Sequence, residues 1–489
     1  MTITSRAAVA RTDPPSTPPG EIRPAPRAGR AALPVILLAT FLATANFFVV
    51  NVALPVIGRS LRADAALLQL VVAAYSVSYA AALVAGGRLG DRYGRRRVMI
   101  LGLVAFAVTT VACGLAPNAE TLVVGRLVQG AAAGLFAPQV LSTIQATYAG
   151  AARQRALAGF GAALGLACVA GQLYGGVAVA VDLAHLGWRV VFLTVAPLGL
   201  LIAALAVRFV PETRGRAVPL DLRGAALLTL CLGLLLVPPS LGAPAGWPAW
   251  SLVALAGAPV AAYVFVRDQR RRERAGGAPL LPPSLFRLVP FRRGLGVVAA
   301  FFVGVGGFLL TTGISLQEGL GMTPLGAGLA LAPYAVGFLA VSLAVPRLVA
   351  RYAGRVVVVG AVVLAAALAA VAVQAGLDYR ELTGWTLLPA FVVIGVGQGL
   401  VMIPVFGVVL AEIPTDRAGV ASGVLTTTQQ AAVAVGVAVL GTLFFQVADA
   451  TPGGVGWRAA TVAVFAGEAV LAVLTGLLAV RLAGRRTDR

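Results

Sequence analysis

Gly87-Arg88-Leu89-Gly90-Asp91-Arg92-Tyr93-Gly94-Arg95-Arg96-Arg97-Val98-Met99 (residues 87–99) is a basic, glycine-punctuated stretch set between two long apolar runs. Its glycines permit a tight turn, and its arginines keep it out of hydrocarbon. The pattern returns 259 residues later as Pro346-Arg347-Leu348-Val349-Ala350-Arg351-Tyr352-Ala353-Gly354-Arg355-Val356-Val357-Val358, with six identical positions and no gap. Arg155-Ala156 with Gly161 is echoed by Arg417-Ala418 with Gly423, at an offset of 262. One helical unit is therefore written twice, and repeated helical units around a midplane site are a transporter architecture.

Working outward, apolar runs lie near 33–57, 66–86, 98–116, 121–144, 156–180, 189–208, 223–241, 250–266, 294–316, 326–350, 356–376, 385–411, 420–446 and 458–480. Each is long enough to cross a hydrocarbon core of about 30 Å as a helix. The run at 223–241 is weakened by Pro238-Pro239, and 250–266 is short. The expected fold is an all-α integral membrane protein of 14 transmembrane helices. Two related six-helix halves, 33–208 and 294–480, flank an insert of two helices and a linker, 209–293. Residues 1–32, rich in Pro and Arg, are expected to form a disordered cytoplasmic tail, and 481–489 a second cytoplasmic tail.

Arginine placement agrees with that count. With the N-terminus inside, 32 of the 38 arginines fall in cytoplasmic segments, five in external ones, and Arg126 lies within a span. Such a bias is what the positive-inside rule predicts, and an even helix number returns the C-terminus to the cytosol. An inner-membrane, multi-pass protein with both termini cytoplasmic is expected, most simply a monomer.

The composition is 59% hydrophobic and 11% charged, with a mean hydropathy of +0.92, against about 25% charged residues in soluble domains. The net charge of +20 is scattered in short segments between apolar runs, so nucleic acid is not an expected partner. The chain contains no Lys; a P-loop, which needs Lys at the phosphates, is excluded, and with it ATP-driven pumping by this chain alone. Cys113, Cys168, Cys231 and the single His185 have no metal-ligand spacing. No cofactor, metal or enzymatic centre is expected.

Few residues inside the spans carry chemistry. Gly87, Gly90, Asp91, Arg92, Gly94 and Arg95 form a gating-loop candidate: Asp91 can cap a helix start or pair with Arg95. The loop can latch two halves, or simply hold anionic lipid head groups. Arg126 sits about 9 Å below the outer end of its helix at 1.5 Å per residue; it is a proton-coupling candidate, or a structural Arg bonded to carbonyls. Glu468 lies about 15 Å into the last run, near the midplane, where a lone carboxyl can take up and release a proton, or make a structural hydrogen bond. Glu318, beside Gln317, is a further proton-coupling candidate, or a residue of the outer mouth that attracts cations. Asp182, Glu412 and Asp449 read as solvated helix ends.

Polar groups in apolar runs should point inward. Gln398 between Gly397 and Gly399 should break its helix. Thr427, Gln429 and Gln430, with Asn46, Asn51, Tyr75, Tyr79, Gln129 and Gln139, are candidates for a substrate cavity or for bonds between helices. Gly171, Gly175 and Gly176, with Gln172, are spaced for close helix packing or for sliding at a seam.

The loop at 87–97 resembles the signature of the major facilitator superfamily. Asn51-Val52-Ala53-Leu54-Pro55, Arg126-Leu127-Val128-Gln129-Gly130, Gly171-Gln172-Leu173-Tyr174-Gly175-Gly176 and Trp188-Arg189 also resemble its motifs, and the layout is similar to the fourteen-helix drug:proton antiporter branch. The resemblance covers about residues 33–480. It implies secondary transport by alternating access, usually with export of lipophilic or cationic drugs against proton entry, and so drug or antibiotic resistance. Small amphipathic substrates, protons and the lipid bilayer are then the expected partners. An exporter or importer of one metabolite on the same fold is the alternative. Two positions depart from the pattern: Asn46 stands where an acid is common, and Gln172 where Pro follows Gly.

Overall fold

The computed structural model describes residues 31–181, 183–215, 221–242, 246–352, 354–410, 418–450 and 454–483. Residues 1–30 and 484–489, Asp182, Glu412 and Arg417 lie outside them. In chain order the helices are α1 Ala32–Leu61, α2 Ala65–Tyr93, α3 Arg95–Gly114, α4 Ala119–Thr147, α5 Gly150–Val181, α6 Val190–Leu193, α7 Val195–Phe209, α8 Leu222–Gly242, α9 Ala249–Arg274, α10 Val289–Ile314, α11 Pro324–Tyr352, α12 Arg355–Leu377, α13 Gly384–Leu410, α14 Ala418–Ala450 and α15 Gly454–Ala483. A π-helical turn, Ser315–Gly319, continues α10. There is no strand among the described residues. In hydrocarbon every backbone group must bond within its own segment, and helices do this.

Thirteen stretches among the described residues are long and apolar enough to cross a membrane, α6 and α7 being counted together; α8 contributes a shorter apolar helix, Leu222–Pro238. The chain is a multi-pass membrane protein. Polar residues set the helix ends. The Asp64 carboxylate accepts from the Leu67 N–H at 2.8 Å, and the Asn118 amide oxygen from the Thr121 N–H at 2.8 Å, each capping an N-terminus. Gly94 alone separates α2 from α3, at φ 107°, a backbone conformation costly for other residues.

Two expected breaks are absent. Helix α8 runs through Pro238 and Pro239 to Gly242; each proline forfeits its own amide hydrogen bond, and the helix ends within a turn of them. Helix α13 is continuous through Gln398. Its glycines serve packing instead, since a methyl group at Gly397 would lie 2.7 Å from the Leu364 amide nitrogen.

The packing is patterned. Among the N-terminal helices α2 packs on α4, α1 on α5, α3 on α4 and α7; among the C-terminal helices α11 packs on α13, α10 on α14, α12 on α13 and α15. The two groups meet where α5 packs on α11 and α2 on α14. Helix α8 lays Leu228, Leu232 and Leu236, one stripe at helical spacing, against Ala80 of α2 and Ala434 and Ala438 of α14. Helix α9 packs on α8 and is otherwise exposed. Apolar residues such as Leu101, Val108, Val253, Val260, Leu343 and Val470 are exposed, as lipid requires.

Candidate functional site

A cavity lies between the two helix groups. Thr40, Thr44, Phe47 and Phe48 of α1, Tyr75 and Tyr79 of α2, and Phe160 of α5 line one wall. Phe302 and Leu309 of α10, Met402 and Phe406 of α13, and Thr426, Gln429 and Gln430 of α14 line the other. Its walls are mostly apolar and aromatic with a few polar points, the make-up of small-molecule sites. On α4, α5, α13 and α14 the lining lies between mid-helix and the end joined to an arginine-bearing segment, whereas on α10 it runs from mid-helix toward the other end. The cavity is thus central and extends toward the arginine-rich end of the bundle.

The opposite end is sealed by contacts between the groups. Arg59, at the end of α1, meets Glu318 in the π turn at 2.6 Å. The Gln317 side-chain amide donates to the Val52 carbonyl at 3.0 Å, and the Thr442 hydroxyl to Gln69 at 3.4 Å. Gly176 of α5 meets Pro324 of α11 so closely that a methyl group there would lie 3.0 Å from the Pro324 carbonyl oxygen. Gly171 and Gly175 seat α5 on α1: added methyl groups would lie 2.8 Å from the Ala45 oxygen and 3.0 Å from the Val49 oxygen. Gln172 is buried.

Arg126 stands behind the cavity wall, fully buried. It donates to Asn46 Oδ1 at 2.8 Å, Gln129 Oε1 at 2.6 Å and the Val71 carbonyl at 3.1 Å, while Nη2 has no partner. Its guanidinium lies over the Tyr75 ring, 4.2 Å from the centroid, a cation–π contact. Gln129 passes the network on, donating to the Thr110 hydroxyl at 2.7 Å. Every one of these partners is neutral. Asn46, at the place where an acid is common, is one of them.

Glu468 of α15 is buried, and neither carboxylate oxygen has a hydrogen-bond partner. It borders a small void shared with Phe301, Phe308, Gln398 and Thr475; Val305 lines both this void and the central cavity. Gln398 accepts from the Tyr334 hydroxyl at 2.9 Å. Of the other candidates, Tyr75, Tyr79, Gln429 and Gln430 line the cavity. Gln139 instead donates to the Gly86 and Leu135 carbonyls. Asn51 and Thr427 are buried with side-chain polar atoms that have no partner.

The stretch expected as a loop is helical up to Tyr93, because its residues 87–93 extend α2; at the α2–α3 junction Asp91 of α2 pairs with Arg95 of α3 at 2.8 Å, and Arg95 also donates to the Ser142 carbonyl at 2.8 Å. Arg92 lies over Tyr93, 5.3 Å from the ring centroid, and Arg351 over Tyr352 at 5.5 Å, so the repeated dipeptide keeps its geometry. Arg88 reaches the Ala278 and Pro279 carbonyls of the segment after α9. The phenylalanines of the cavity were not distinguishable in sequence, because an aromatic in an apolar run reads equally as core or lipid-facing. The Arg59–Glu318 pair did carry a signal: the two positions are 259 apart, the offset of the loop repeat.

No group of residues able to hold a metal occurs among the described residues. Over residues 36–437 the sequence matches the Major Facilitator Superfamily. The chain belongs to this superfamily. It is a transporter and not an enzyme. It is 38% identical over 426 residues to a protein of Streptomyces coelicolor named as a probable actinorhodin transporter, covering 86% of this chain and 74% of that one. A puromycin resistance protein of Streptomyces alboniger is 33% identical, with 84% and 81% covered. A multidrug efflux pump of Mycolicibacterium smegmatis is 32% identical, with 84% and 79% covered. Among solved structures, the superfamily chain superposes on a POT family transporter with a TM-score of 0.68 at 13% identity, covering 94% of this chain and 99% of that one. The human organic anion transporter MFSD10 gives a TM-score of 0.63 at 18% identity, with 92% and 99% covered. At these identities the likeness concerns the fold.

Proposed function

We propose that this chain exports small amphipathic drugs or antibiotics in exchange for protons, by alternating access. The observation that carries the reading is the asymmetry of the bundle. A cavity lies toward the arginine-rich end, while contacts between the helix groups seal the other end. Such an arrangement is one state of a two-state cycle in which the groups rock about a fixed site. The repeated loop and the matching pattern of helix contacts support two related six-helix halves, 33–208 and 294–480. Helices α8 and α9 form the insert, and α8 completes a count of fourteen. The arginine bias supports an inner-membrane protein, monomeric, with the arginine-rich end and both termini in the cytosol.

In the proposed cycle a proton enters from outside and is taken up by Glu468, a carboxyl without a partner beside the cavity, while Arg126 acts as a fixed charge in the N-terminal half. Glu318 pairs with Arg59 and acts in the outer gate instead of carrying the proton. The Asp91–Arg95 junction closes the inner end when the cavity turns outward; inner-side accessibility unchanged by Asp91→Asn would remove the junction from the gate. Inverted vesicles with an imposed pH gradient and no ATP test the reading. Uptake of fluorescent amphipathic compounds that a protonophore abolishes is expected; gradient-independent uptake by well-inserted protein would refute proton exchange.

Relatives named for single antibiotics favour a second reading, a dedicated exporter of one compound. Susceptibility of a deletion strain separates the two: many compounds for the first, one for the second.

A further inference from the structure

We propose that the central cavity selects planar aromatic molecules that are neutral or negatively charged, and rejects cations. The proposal rests on the efflux reading and names its substrate class.

None of the carboxylates among the described residues lines the cavity. Its polar points, Thr40, Thr44, Tyr79, Gln429 and Gln430, are neutral groups that can donate to or accept from carbonyl and hydroxyl substituents. Aromatic rings face in from both walls, Phe47, Phe48 and Phe160 on one side and Phe302 and Phe406 on the other. Rings so placed stack flat aromatic ligands. They can also hold cations, so the sign of the local charge decides.

That sign is positive. Arg126 is permanently charged, fully buried, and bonded only to neutral oxygens. It occupies a face of Tyr75, the ring that separates it from the cavity. A cation resting against the other side of that ring would stand about 8 Å from the guanidinium, and at an effective dielectric of ~20 this lowers its affinity more than tenfold. An anion gains by the same factor. Among the described residues, Glu468 is the carboxyl near the opposite wall, behind Val305 in its own void. Protonated it adds no charge, and ionised it at most balances Arg126. The arginine-rich end toward which the cavity lies draws anions in from the aqueous phase.

A matched series isolates charge from shape: acridone (neutral), acridine-9-carboxylate (anionic) and 9-aminoacridine (cationic). Binding of each to the purified full-length chain in lipid nanodiscs is followed by its own fluorescence. Acridone and the carboxylate are expected to bind at least about tenfold more tightly than 9-aminoacridine. Gln430→Glu, which places a carboxylate on the wall, should raise 9-aminoacridine affinity about tenfold and weaken the carboxylate. Arg126→Gln should bring the carboxylate and the cation within about threefold of each other; Gln430→Glu keeps the test decisive where Arg126→Gln fails to fold. Equal or tighter binding of 9-aminoacridine by the natural protein overturns the proposal and leaves the efflux reading standing. Binding of none of the three overturns the proposal too, while the efflux reading stands or falls separately by the inverted-vesicle uptake.

Discussion

Arg126 makes three hydrogen bonds to neutral oxygens and stacks on Tyr75, a geometry that only the planar, forked guanidinium satisfies. Arg126→Lys retains the charge but not the fork, and should weaken transport at least tenfold while the protein still inserts. Arg126→Ala strands the oxygens of Asn46 and Gln129, at about 1–3 kcal/mol for each buried acceptor left without a donor; thermal unfolding in detergent measures it. Glu468 poses the opposite problem, a buried carboxyl whose oxygens make no hydrogen bond. Glu468→Gln has the same shape without the exchangeable charge. Folding should be retained with a melting temperature equal to or above the natural one, and pH-driven uptake should fall at least tenfold; uptake that persists would place coupling elsewhere.

At the level of elements, the insert is tied to the N-terminal helices by polar contacts near the arginine-rich end. Arg88 of α2 donates to the Ala278 and Pro279 carbonyls. Asp221, at the start of α8, accepts from the Gln269 side chain and from the Gly224 and Leu280 N–H groups, and pairs with Arg272. Burial works against its ionised form, but those hydrogen bonds and the Arg272 charge together hold its carboxyl below the usual range. A depressed folded value means the stabilisation is complete above the ordinary value of 3.8 and is lost as pH falls through the lower folded one. The tether is therefore intact throughout the neutral range. Arg88→Ala should speed amide exchange at Leu280 and Leu281 and sensitise the arginines of 267–274 to trypsin, with little change in α10–α15. Gly171→Leu should be far more damaging, because it forces α5 off α1, an overpacking costing about 1–3 kcal/mol or more.

On the scale of the whole molecule the outer seal joins the two helix groups through Arg59 and Glu318, both partly exposed. An exposed pair is worth about 0–1 kcal/mol, so it biases the cycle and does not lock it. Glu318→Arg should raise labelling, by an impermeant thiol reagent added outside, of a cysteine placed at the cavity-lining Thr44 by no more than several-fold. The reversed pair, Arg59→Glu with Glu318→Arg, should restore the natural rate.

The helical class, the repeat and nearly every span were legible in the chain alone, because hydrocarbon demands long apolar helices and arginine marks the segments that stay in water. The stretch at 87–99 could be read as a junction without coordinates, but not its form, since only Gly94 interrupts the helices there. Polar candidates could be named as well, since an amide or a charge inside a span must face protein. Their roles were another matter. Gln139 and Asn46 proved to bond the backbone and Arg126, while Tyr75, Gln429 and Gln430 reached the cavity. The rotation of each helix about its axis decides that, and it is set by packing between distant segments. The same rotation turned Phe47, Phe302 and Phe406 toward one space, left Glu468 without a partner, and put a lone positive charge behind Tyr75. Periodicity records how apolar a helix is, whereas which neighbour each face meets is settled only when the helices pack.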